Sequence, residues 1–258
     1  MKLKKKKRSA TLTPAEVEKT LHKNLEFIAS EQYRLLRANI KFTVPDDVKC
    51  PIIGVTSSIR GEGKSTTAVN LSYVLANKGH KVLLVDGDLR IPSIAKKMGV
   101  KSTPGLTDLL IGSTADIASW KSDIHKNWYI LPSGDIPPNP SELLGSKRME
   151  NVLNVLSEHF DYIIVDLPPV NVVSDAMAIS SWVTGMIIVI REGYTSKKDL
   201  DRCMRQIKLS NVNVLGCVMN ESEEGSASYN KYGKYKRNKQ YYYYSSEHKV
   251  QNKEEFNL

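Results

Sequence analysis

Hydrophobic residues from position 51 onward fall into short unbroken runs that alternate with longer stretches of helical periodicity. Short runs of this kind predict strands of a parallel sheet, because such strands are buried on both faces by helices. Six strands are predicted, at residues 52–57, 81–86, 127–133, 162–166, 185–190 and 213–220. Helices are predicted at residues 64–78, 92–98, 105–111, 140–158, 174–183 and 196–209. The alternation predicts an α/β fold with a doubly wound, mostly parallel sheet.

The two ends of the chain lack this alternation. Near the start, Thr13-Pro14-Ala15-Glu16 has the form of a capping box with proline at the first helical position, which predicts the start of a helix. After Asn220 polar residues, glycine and tyrosine replace the aliphatic residues, and too little apolar surface remains to offset the entropy of ordering the chain. We therefore predict a basic leader (1–12), an N-terminal helical segment (13–50), one α/β domain (51–220) and a flexible tail (221–258).

Composition is that of a soluble globular protein, with 41 % hydrophobic and 25 % charged residues among 258. No apolar run approaches the roughly 18 residues that a membrane-spanning helix needs, so we expect any membrane association to be peripheral. The three cysteines form no pattern, which is compatible with a reducing cytoplasm. The net charge of +9 is concentrated at the two ends. Basic ends suit anionic lipid, nucleic acid or an acidic polymer, or are simply solvated, and composition does not choose among these.

A glycine-rich segment joins the first predicted strand to the first predicted helix of the α/β domain. Residues 58–65, SIRGEGKS, match the phosphate-binding pattern G-x-x-x-x-G-K-[ST], except that Ser58 replaces the first glycine. Gly61 and Gly63 allow backbone N–H groups to surround phosphate oxygens at the positive end of the helix. Lys64 is expected to reach the β- and γ-phosphates, and Ser65 to offer its hydroxyl to Mg²⁺.

Three carboxylates follow two other predicted strands. Asp86 and Asp88 come after LLV, and Asp166 comes after YIIV. The carboxyl ends of parallel strands meet at one edge of the sheet, so we expect these acids to converge on the phosphate loop. Any one of them could instead cap the next helix, but three at matched strand ends favour a magnesium site, with Asp166 holding the metal through water.

In order and spacing, GVTSSIRGEGKSTTAVNLS, LLVDGDLRIP and FDYIIVDLPPV resemble the Walker A, A′ and B motifs of bacterial tyrosine kinases. The resemblance extends through GLTDLLIG and LPSGDIPPNPSELL and covers residues 31–244. Within this family the sequence is most similar to the cytoplasmic subunit of Gram-positive capsule and exopolysaccharide kinases, the CpsD/CapB type. The resemblance implies the fold of a P-loop NTPase of the MinD/ParA-like branch. It also implies an enzyme that uses ATP and Mg²⁺ to phosphorylate protein tyrosine and that regulates polysaccharide synthesis and export.

The resemblance also implies roles for individual residues. Asp86 orients the incoming tyrosine hydroxyl or accepts its proton, whereas Ser65, Asp88 and Asp166 lie on the metal side; Lys64 completes the catalytic set. Asn220 resembles an adenine-contacting asparagine of the wider superfamily, although a strand-end asparagine is commonly a turn residue. The implied nucleotide-binding residues are Arg60, Gly61, Glu62, Gly63, Lys64, Ser65, Thr66 and Asn220. Arg90 serves either phosphate or a neighbouring subunit, and the sequence does not decide between them.

Two further segments bear on assembly and substrate. Glu31, Arg34 and Arg37 match the E-x-x-R-x-x-R pattern that these kinases use between subunits of a ring, although a solvated salt-bridged helix face has the same spacing. The tail contains seven of the twelve tyrosines, and these are the implied phosphorylation sites: Tyr229, Tyr232, Tyr235, Tyr241, Tyr242, Tyr243 and Tyr244. Because a parallel strand is predicted to end at Asn220, the tail is expected to leave the domain beside the phosphate site.

The resemblance implies partners as well: further copies of the chain, a transmembrane adaptor of the polysaccharide co-polymerase type, a tyrosine phosphatase and other protein substrates, with no nucleic acid expected. It implies a cytoplasmic protein that a partner recruits to the inner face of the plasma membrane. The alternative is a ParA- or MinD-like ATPase switch, against which Ile59 counts because it replaces the second lysine of that loop. The motifs are also compatible with a catalytically silent scaffold. The tail alone is compatible with a disordered polyelectrolyte that binds RNA or lipid through lysine charge and tyrosine stacking.

Overall fold

The computed structural model describes residues 27–114 and 116–221. Its strands are β1 (Ile52–Ser57), β2 (Val82–Asp86), β3 (Trp128–Leu131), β4 (Tyr162–Asp166), β5 (Gly185–Arg191) and β6 (Val214–Asn220). All neighbouring strands pair in parallel, in the order β3-β2-β4-β1-β5-β6. Each strand begins and ends within two residues of the predicted run, so the α/β parallel sheet expected from the sequence is confirmed.

Eight α-helices accompany the sheet in the described part of the chain: α1 (Phe27–Thr43), α2 (Lys64–Asn77), α3 (Ile94–Met98), α4 (Leu106–Leu110), α5 (Pro140–Leu144), α6 (Lys147–Ser157), α7 (Asp175–Ala178) and α8 (Lys197–Leu209). None of these helices has both the length and the apolar character needed to cross a bilayer. The helix start predicted at Thr13 lies outside the described residues.

Two predicted helices are each divided in the structure. The helix predicted over residues 140–158 is broken at Gly145, after which the Ser146 hydroxyl accepts a hydrogen bond from the Met149 N–H and caps α6. The helix predicted over residues 174–183 becomes α7 followed by the 3₁₀ turn Ser180–Trp182. In the first case a local hydrogen bond starts a new helix, so helical periodicity alone could not locate the break.

The sheet separates two apolar cores. Alternate residues of β2 enter different cores, with Leu83 and Val85 in one and Val82 and Leu84 in the other. Helices α6 and α8 contribute to the first core, whereas α1 and α2 contribute to the second. Burial on both faces explains why these strands are continuous hydrophobic runs rather than alternating ones.

The register of the sheet aligns the carboxyl ends of its central strands. Asp86 of β2 lies opposite Asp166 of β4, and Asp166 lies opposite Val55 of β1. The glycine-rich loop leaves β1 within a few residues of this point and enters α2 at Lys64. The sheet therefore brings all three carboxylates of the sequence pattern to the edge where the loop lies.

One buried hydrogen bond ties α2 to the edge strand β3. Trp128 is fully buried, and its indole N–H donates to the Ser72 hydroxyl at 3.0 Å. The same hydroxyl donates to the Val69 carbonyl at 2.8 Å, and the Trp128 ring packs edge-on against Tyr73 with centroids 5.4 Å apart.

We expect Ser72→Ala to lower the free energy of unfolding by about 1–3 kcal/mol, because it leaves the indole N–H buried without an acceptor. Urea denaturation followed by tryptophan fluorescence measures the change. Ser181→Ala, at an exposed position, is the matched control. Equal stability of the two variants would contradict the importance of this contact.

Candidate active site

At two positions of the glycine-rich loop, the backbone conformation favours glycine. Gly61 and Gly63 have φ angles of 85° and 95°, in the left-handed region. A Cβ atom added to Gly63 would lie 2.0 Å from the Asn220 side-chain nitrogen. That nitrogen donates to the Glu62 carbonyl at 3.0 Å, so the end of β6 braces the loop directly.

Glu62 holds the loop from within rather than facing a ligand. Its fully buried carboxylate accepts hydrogen bonds from the Ser58 hydroxyl at 2.8 Å, from the Ile59 N–H at 2.7 Å and from the Thr195 hydroxyl. Ser58, the departure from the glycine of the consensus pattern, therefore provides one of these donors. Only the backbone of Glu62 is left to contact a phosphate.

Lys64 lies among the acids at the strand ends. Its Nζ is 3.0 Å from Asp88 Oδ2 and 3.4 Å from Asp166 Oδ1, and it donates to the Ser65 hydroxyl at 3.3 Å. Burial alone would lower the pKa of Lys64, but the carboxylates of Asp166 and Asp88 outweigh it and raise the pKa. The ammonium group is therefore fixed and charged where it can neutralise phosphate oxygens.

Asp86 is buried, and only one of its two carboxylate oxygens has hydrogen-bond partners. Its Oδ2 accepts hydrogen bonds from the backbone N–H groups of Ser93 and Ile94, at 3.0 and 2.9 Å, whereas its Oδ1 is buried without a hydrogen-bond partner. Burial, with repulsion from Asp166 added, raises the pKa of Asp86 to about 7. This carboxyl can therefore gain or lose a proton near neutral pH.

The donors near Lys64 fit a magnesium ion bound together with a nucleotide. Asp166 Oδ2 is buried without a hydrogen-bond partner, and burial raises the pKa of Asp166 although Lys64 opposes the shift. A cation would satisfy this oxygen, and Asp88 and the Ser65 hydroxyl lie on the same side of Lys64. Within residues 27–114 and 116–221, no three His, Cys, Asp or Glu side chains form a metal cage. Magnesium bound to nucleotide needs only one or two carboxylates, with phosphate and water completing its shell.

A cavity of about 570 Å³ lies over the loop. It brings together seven of the eight residues that the sequence suggested for nucleotide binding, and the predicted metal-side residue Asp88; the seven are Arg60, Gly61, Gly63, Lys64, Ser65, Thr66 and Asn220. Asp86 and Asp166 are fully buried and do not line it. Ile91 and Val172, on the turns after β2 and β4, also line the cavity. Val172 belongs to no motif, and the motif LLVDGDLRIP contains Ile91 without indicating a role for it.

Arg90 is held at the rim of the cavity by a residue that no sequence motif identifies. Its Nε and Nη2 donate to the two carboxylate oxygens of Asp175 at 2.8 and 3.0 Å, and Asp175 is fully buried. The Ser141 hydroxyl also donates to Asp175. Asp175 stands at the start of α7, where an acid is ordinary, so nothing in the sequence connects it to Arg90.

Arg191, at the end of β5, links the loop to the start of the tail. Its guanidinium donates to the Gly61 carbonyl at 3.4 Å and forms an ion pair with Glu221. It also lies over the Tyr194 ring, 5.1 Å from the centroid. Glu221 itself has a φ angle of 53°, directly after the last residue of β6.

The residues predicted for assembly lie on α1. Glu31 and Arg34 form an ion pair with each other, and Arg37 reaches toward the Val74 carbonyl of α2 at 3.5 Å. Their role between subunits stays a prediction. The seven tail tyrosines lie outside the described residues.

Ser58→Ala is expected to lower the free energy of unfolding by about 1–3 kcal/mol and to weaken nucleotide binding, because the buried carboxylate of Glu62 loses a donor. Thermal denaturation and titration with a fluorescent ATP analogue measure the two effects. Ser113→Ala, at an exposed position, is the control. Unchanged stability and affinity in Ser58→Ala would refute the role given to Glu62.

Asp86→Asn is expected to raise the Tm at pH 7. The folded chain holds the Asp86 proton up to about pH 7, whereas the ordinary pKa is 3.8, so ionisation of Asp86 destabilises the fold as pH rises between these values. The neutral amide removes this cost and should flatten the pH dependence of Tm over that range. Asp123→Asn, at an exposed position, should leave the profile unchanged. A lower Tm for Asp86→Asn at pH 7 would count against the raised pKa.

A sequence model described as an AAA domain matches residues 50–215 of this chain. Tyrosine-protein kinase CpsD of Streptococcus pneumoniae serotype 4 is 38 % identical over 218 residues, which cover 82 % of this chain and 92 % of that protein. Tyrosine-protein kinase YwqD of Bacillus subtilis is 36 % identical over 206 residues, which cover 80 % of this chain and 86 % of that protein.

Solved structures of tyrosine kinases are also similar to this chain. The chimerical protein CapA2B2 matches with a TM-score of 0.70 and 34 % identity, over 75 % of this chain and 84 % of that chain. The kinase domain of Escherichia coli tyrosine kinase ETK matches with a TM-score of 0.69 and 29 % identity, over 78 % and 79 %. The cell division ATPase MinD of Pyrococcus furiosus matches less well, with a TM-score of 0.54 and 28 % identity over 66 % and 71 %. The chain therefore belongs to the bacterial tyrosine-protein kinases of the CpsD/CapB type, a family built on the P-loop NTPase fold.

Proposed function

We propose that this chain transfers the γ-phosphoryl group of ATP to tyrosines of the C-terminal segment of a neighbouring copy. One observation carries the proposal: Asn220 and Glu221, from which that segment begins, line the same cavity as Lys64 and Asp88. The acceptor segment therefore starts beside the acids that would serve the reaction. Membership of a tyrosine-kinase family supports the same reaction class.

In this reaction the phenolic oxygen forms a bond to the γ-phosphorus while the bond from that phosphorus to the β–γ bridging oxygen breaks. ADP leaves with the electron pair of the broken bond. Lys64 neutralises the charge on the β- and γ-phosphate oxygens. When bound, Mg²⁺ supplies further charge neutralisation, and Ser65, Asp88 and Asp166 are the residues that would hold it.

Asp86 is assigned to the tyrosine hydroxyl, and because Asp86 is fully buried and does not line the cavity, this role requires the site to open when substrates bind. A loose phosphoryl-transfer transition state needs little prior deprotonation, so the main task of Asp86 is to orient the hydroxyl. Its pKa of about 7 also allows it to take the phenolic proton as the new bond forms. Arg60 and Thr66 line the cavity and complete the nucleotide wall, while Asn220 holds the Glu62 carbonyl and faces the same space.

The proposal also includes assembly of the copies, their recruitment to the membrane and their regulation. The copies form a ring through the face of α1 that contains Glu31, Arg34 and Arg37, and the E-x-x-R-x-x-R spacing of these residues supports this part of the proposal. A transmembrane adaptor of the polysaccharide co-polymerase type recruits the chain to the inner face of the plasma membrane, and a tyrosine phosphatase resets it. Through this cycle the kinase regulates capsular or exopolysaccharide synthesis and export.

A Lys64→Met chain mixed with a chain that ends at residue 221 tests transfer between copies. With γ-labelled ATP and Mg²⁺ we expect label on tyrosines of the Lys64→Met chain, because the shortened chain keeps the cavity and lacks the tail. Lys64→Met alone is the control and should stay unlabelled, since it lacks the phosphate-binding ammonium.

Mass spectrometry identifies the modified tyrosines. A full-length chain that labels itself but never labels Lys64→Met would contradict transfer between copies. Release of labelled phosphate with no phosphotyrosine on any chain would contradict kinase activity and favour the ATPase switch.

A further inference from the structure

Two large apolar side chains stand exposed in a cavity that Pro168, Pro169 and Val173 also line. Ile91 is 52 % exposed and Val172 is 44 % exposed, and both line the space over the glycine-rich loop. Phosphate groups gain nothing from aliphatic surface, whereas a ligand that carries an apolar group gains free energy by covering it. The position of these two side chains inside the phosphate cavity therefore suits a second ligand with an apolar group.

Strand order shows which end of the cavity these side chains occupy. The loop follows β1, with β5 and β6 on one side and β4 and β2 on the other. Asn220 ends β6, whereas Ile91 follows β2 and Val172 follows β4. Lys64, which marks the terminal phosphate, is ion-paired to Asp88, on the β2 side. A nucleotide that extends from the β6 side therefore presents its γ-phosphate toward Ile91 and Val172.

Backbone hydrogen bonds fix the two turns relative to the reacting groups. The Ile91 N–H donates to Asp88 Oδ1 at 3.1 Å, and the other oxygen of that carboxylate contacts Lys64. On the opposite turn, the Asn171 N–H donates to the Ser58 carbonyl at 3.1 Å, and the Val172 N–H donates to the Pro169 carbonyl at 3.1 Å. A group resting on this pair is held at a fixed position relative to the phosphate loop.

Arg90 adds a positive charge to the cavity that the pair lines. The buried carboxylate of Asp175 holds its guanidinium through two hydrogen bonds, at 2.8 and 3.0 Å. A planar guanidinium favours aromatic rings as neighbours. Aliphatic surface next to a fixed guanidinium is suited to a phenyl ring and unsuited to the short side chains of serine and threonine.

The chain itself offers such a ring. Seven tyrosines lie between residues 229 and 244, and the described structure ends at Glu221 on the wall of this cavity. Residues 222–228 span up to about 23 Å when extended, at roughly 3.3 Å per residue. The tyrosine-rich segment therefore begins within reach of a cavity of its own or a neighbouring copy.

Resting on the proposed function, we infer that Ile91 and Val172, flanked by Arg90, form the acceptor subsite, which binds the ring of a tyrosine from residues 229–244 and selects tyrosine over serine and threonine. The pair contacts the ring, not the nucleotide. It determines acceptor affinity and leaves ATP affinity unchanged.

The test uses the full chain with its seven tail tyrosines changed to alanine, so that a synthetic peptide of residues 226–246 is the sole acceptor. In this parent, Ile91→Ser with Val172→Ser is expected to raise KM for the peptide about tenfold or more. The tyrosine ring then loses apolar contacts that are equivalent to one or two methylene groups. The Kd for ATP should stay within about twofold, since the pair lies outside the nucleotide. Leu209→Ser, at an 83 % exposed position before β6, is the control and should match the parent. Ile91→Leu keeps the apolar surface and should retain most of the peptide affinity.

The outcomes separate the two proposals. If the double variant phosphorylates the peptide with the parent KM, the acceptor subsite is overturned and the kinase proposal stands. A parallel rise in the Kd for ATP, or a smaller assembly in size-exclusion chromatography, would assign the pair to the nucleotide or to a contact between copies and also overturn the inference. If the parent transfers no phosphate to the peptide while ATP binds, both proposals fall.

Discussion

The pairing of Lys64 with the acids at the strand ends is the interaction on which the site depends. The sheet register places Asp86 opposite Asp166, so the fold itself brings negative charges together in a region shielded from water. Lys64 contacts Asp88 and Asp166 and is the ammonium that compensates them. Removing one partner of a buried ion pair typically costs about 3–5 kcal/mol, because the other charge is left unpaired. The same contacts therefore stabilise the strand ends and hold the phosphate-binding lysine in place.

The charge balance of this cluster explains its chemistry. Burial raises the pKa of Asp86 to about 7, and repulsion from Asp166 adds to the shift although Lys64 opposes it, so Asp86 can hold a proton near neutral pH. Buried oxygens of Asp86 and Asp166 are without hydrogen-bond partners, and a divalent cation would compensate them better than water. Bound magnesium, held together with the nucleotide, would balance the negative charge of this cluster and coordinate its free carboxylate oxygens.

Much of this architecture follows from the sequence, and the remainder depends on contacts between distant residues. Continuous apolar runs predicted six strands, and the acids after two of them predicted the cluster at the loop. The inward turn of Glu62 was not predictable, because its partners include Thr195, far along the chain. Arg90 likewise was identified without its function, since Asp175 reads as an ordinary helix-start acid. The motif that contains Ile91 gives it no role and Val172 belongs to no motif, so only the sheet order places them at one end of a cavity.

Arg191 gives the origin of the C-terminal segment a mechanical link to the phosphate loop. The same guanidinium clasps Glu221, touches the Gly61 carbonyl and rests on the Tyr194 ring. Arg191 therefore contacts both the start of this segment and the glycine turn. In the proposed transfer between copies, a segment drawn into a neighbour would pull on the side chain that also contacts its own nucleotide loop.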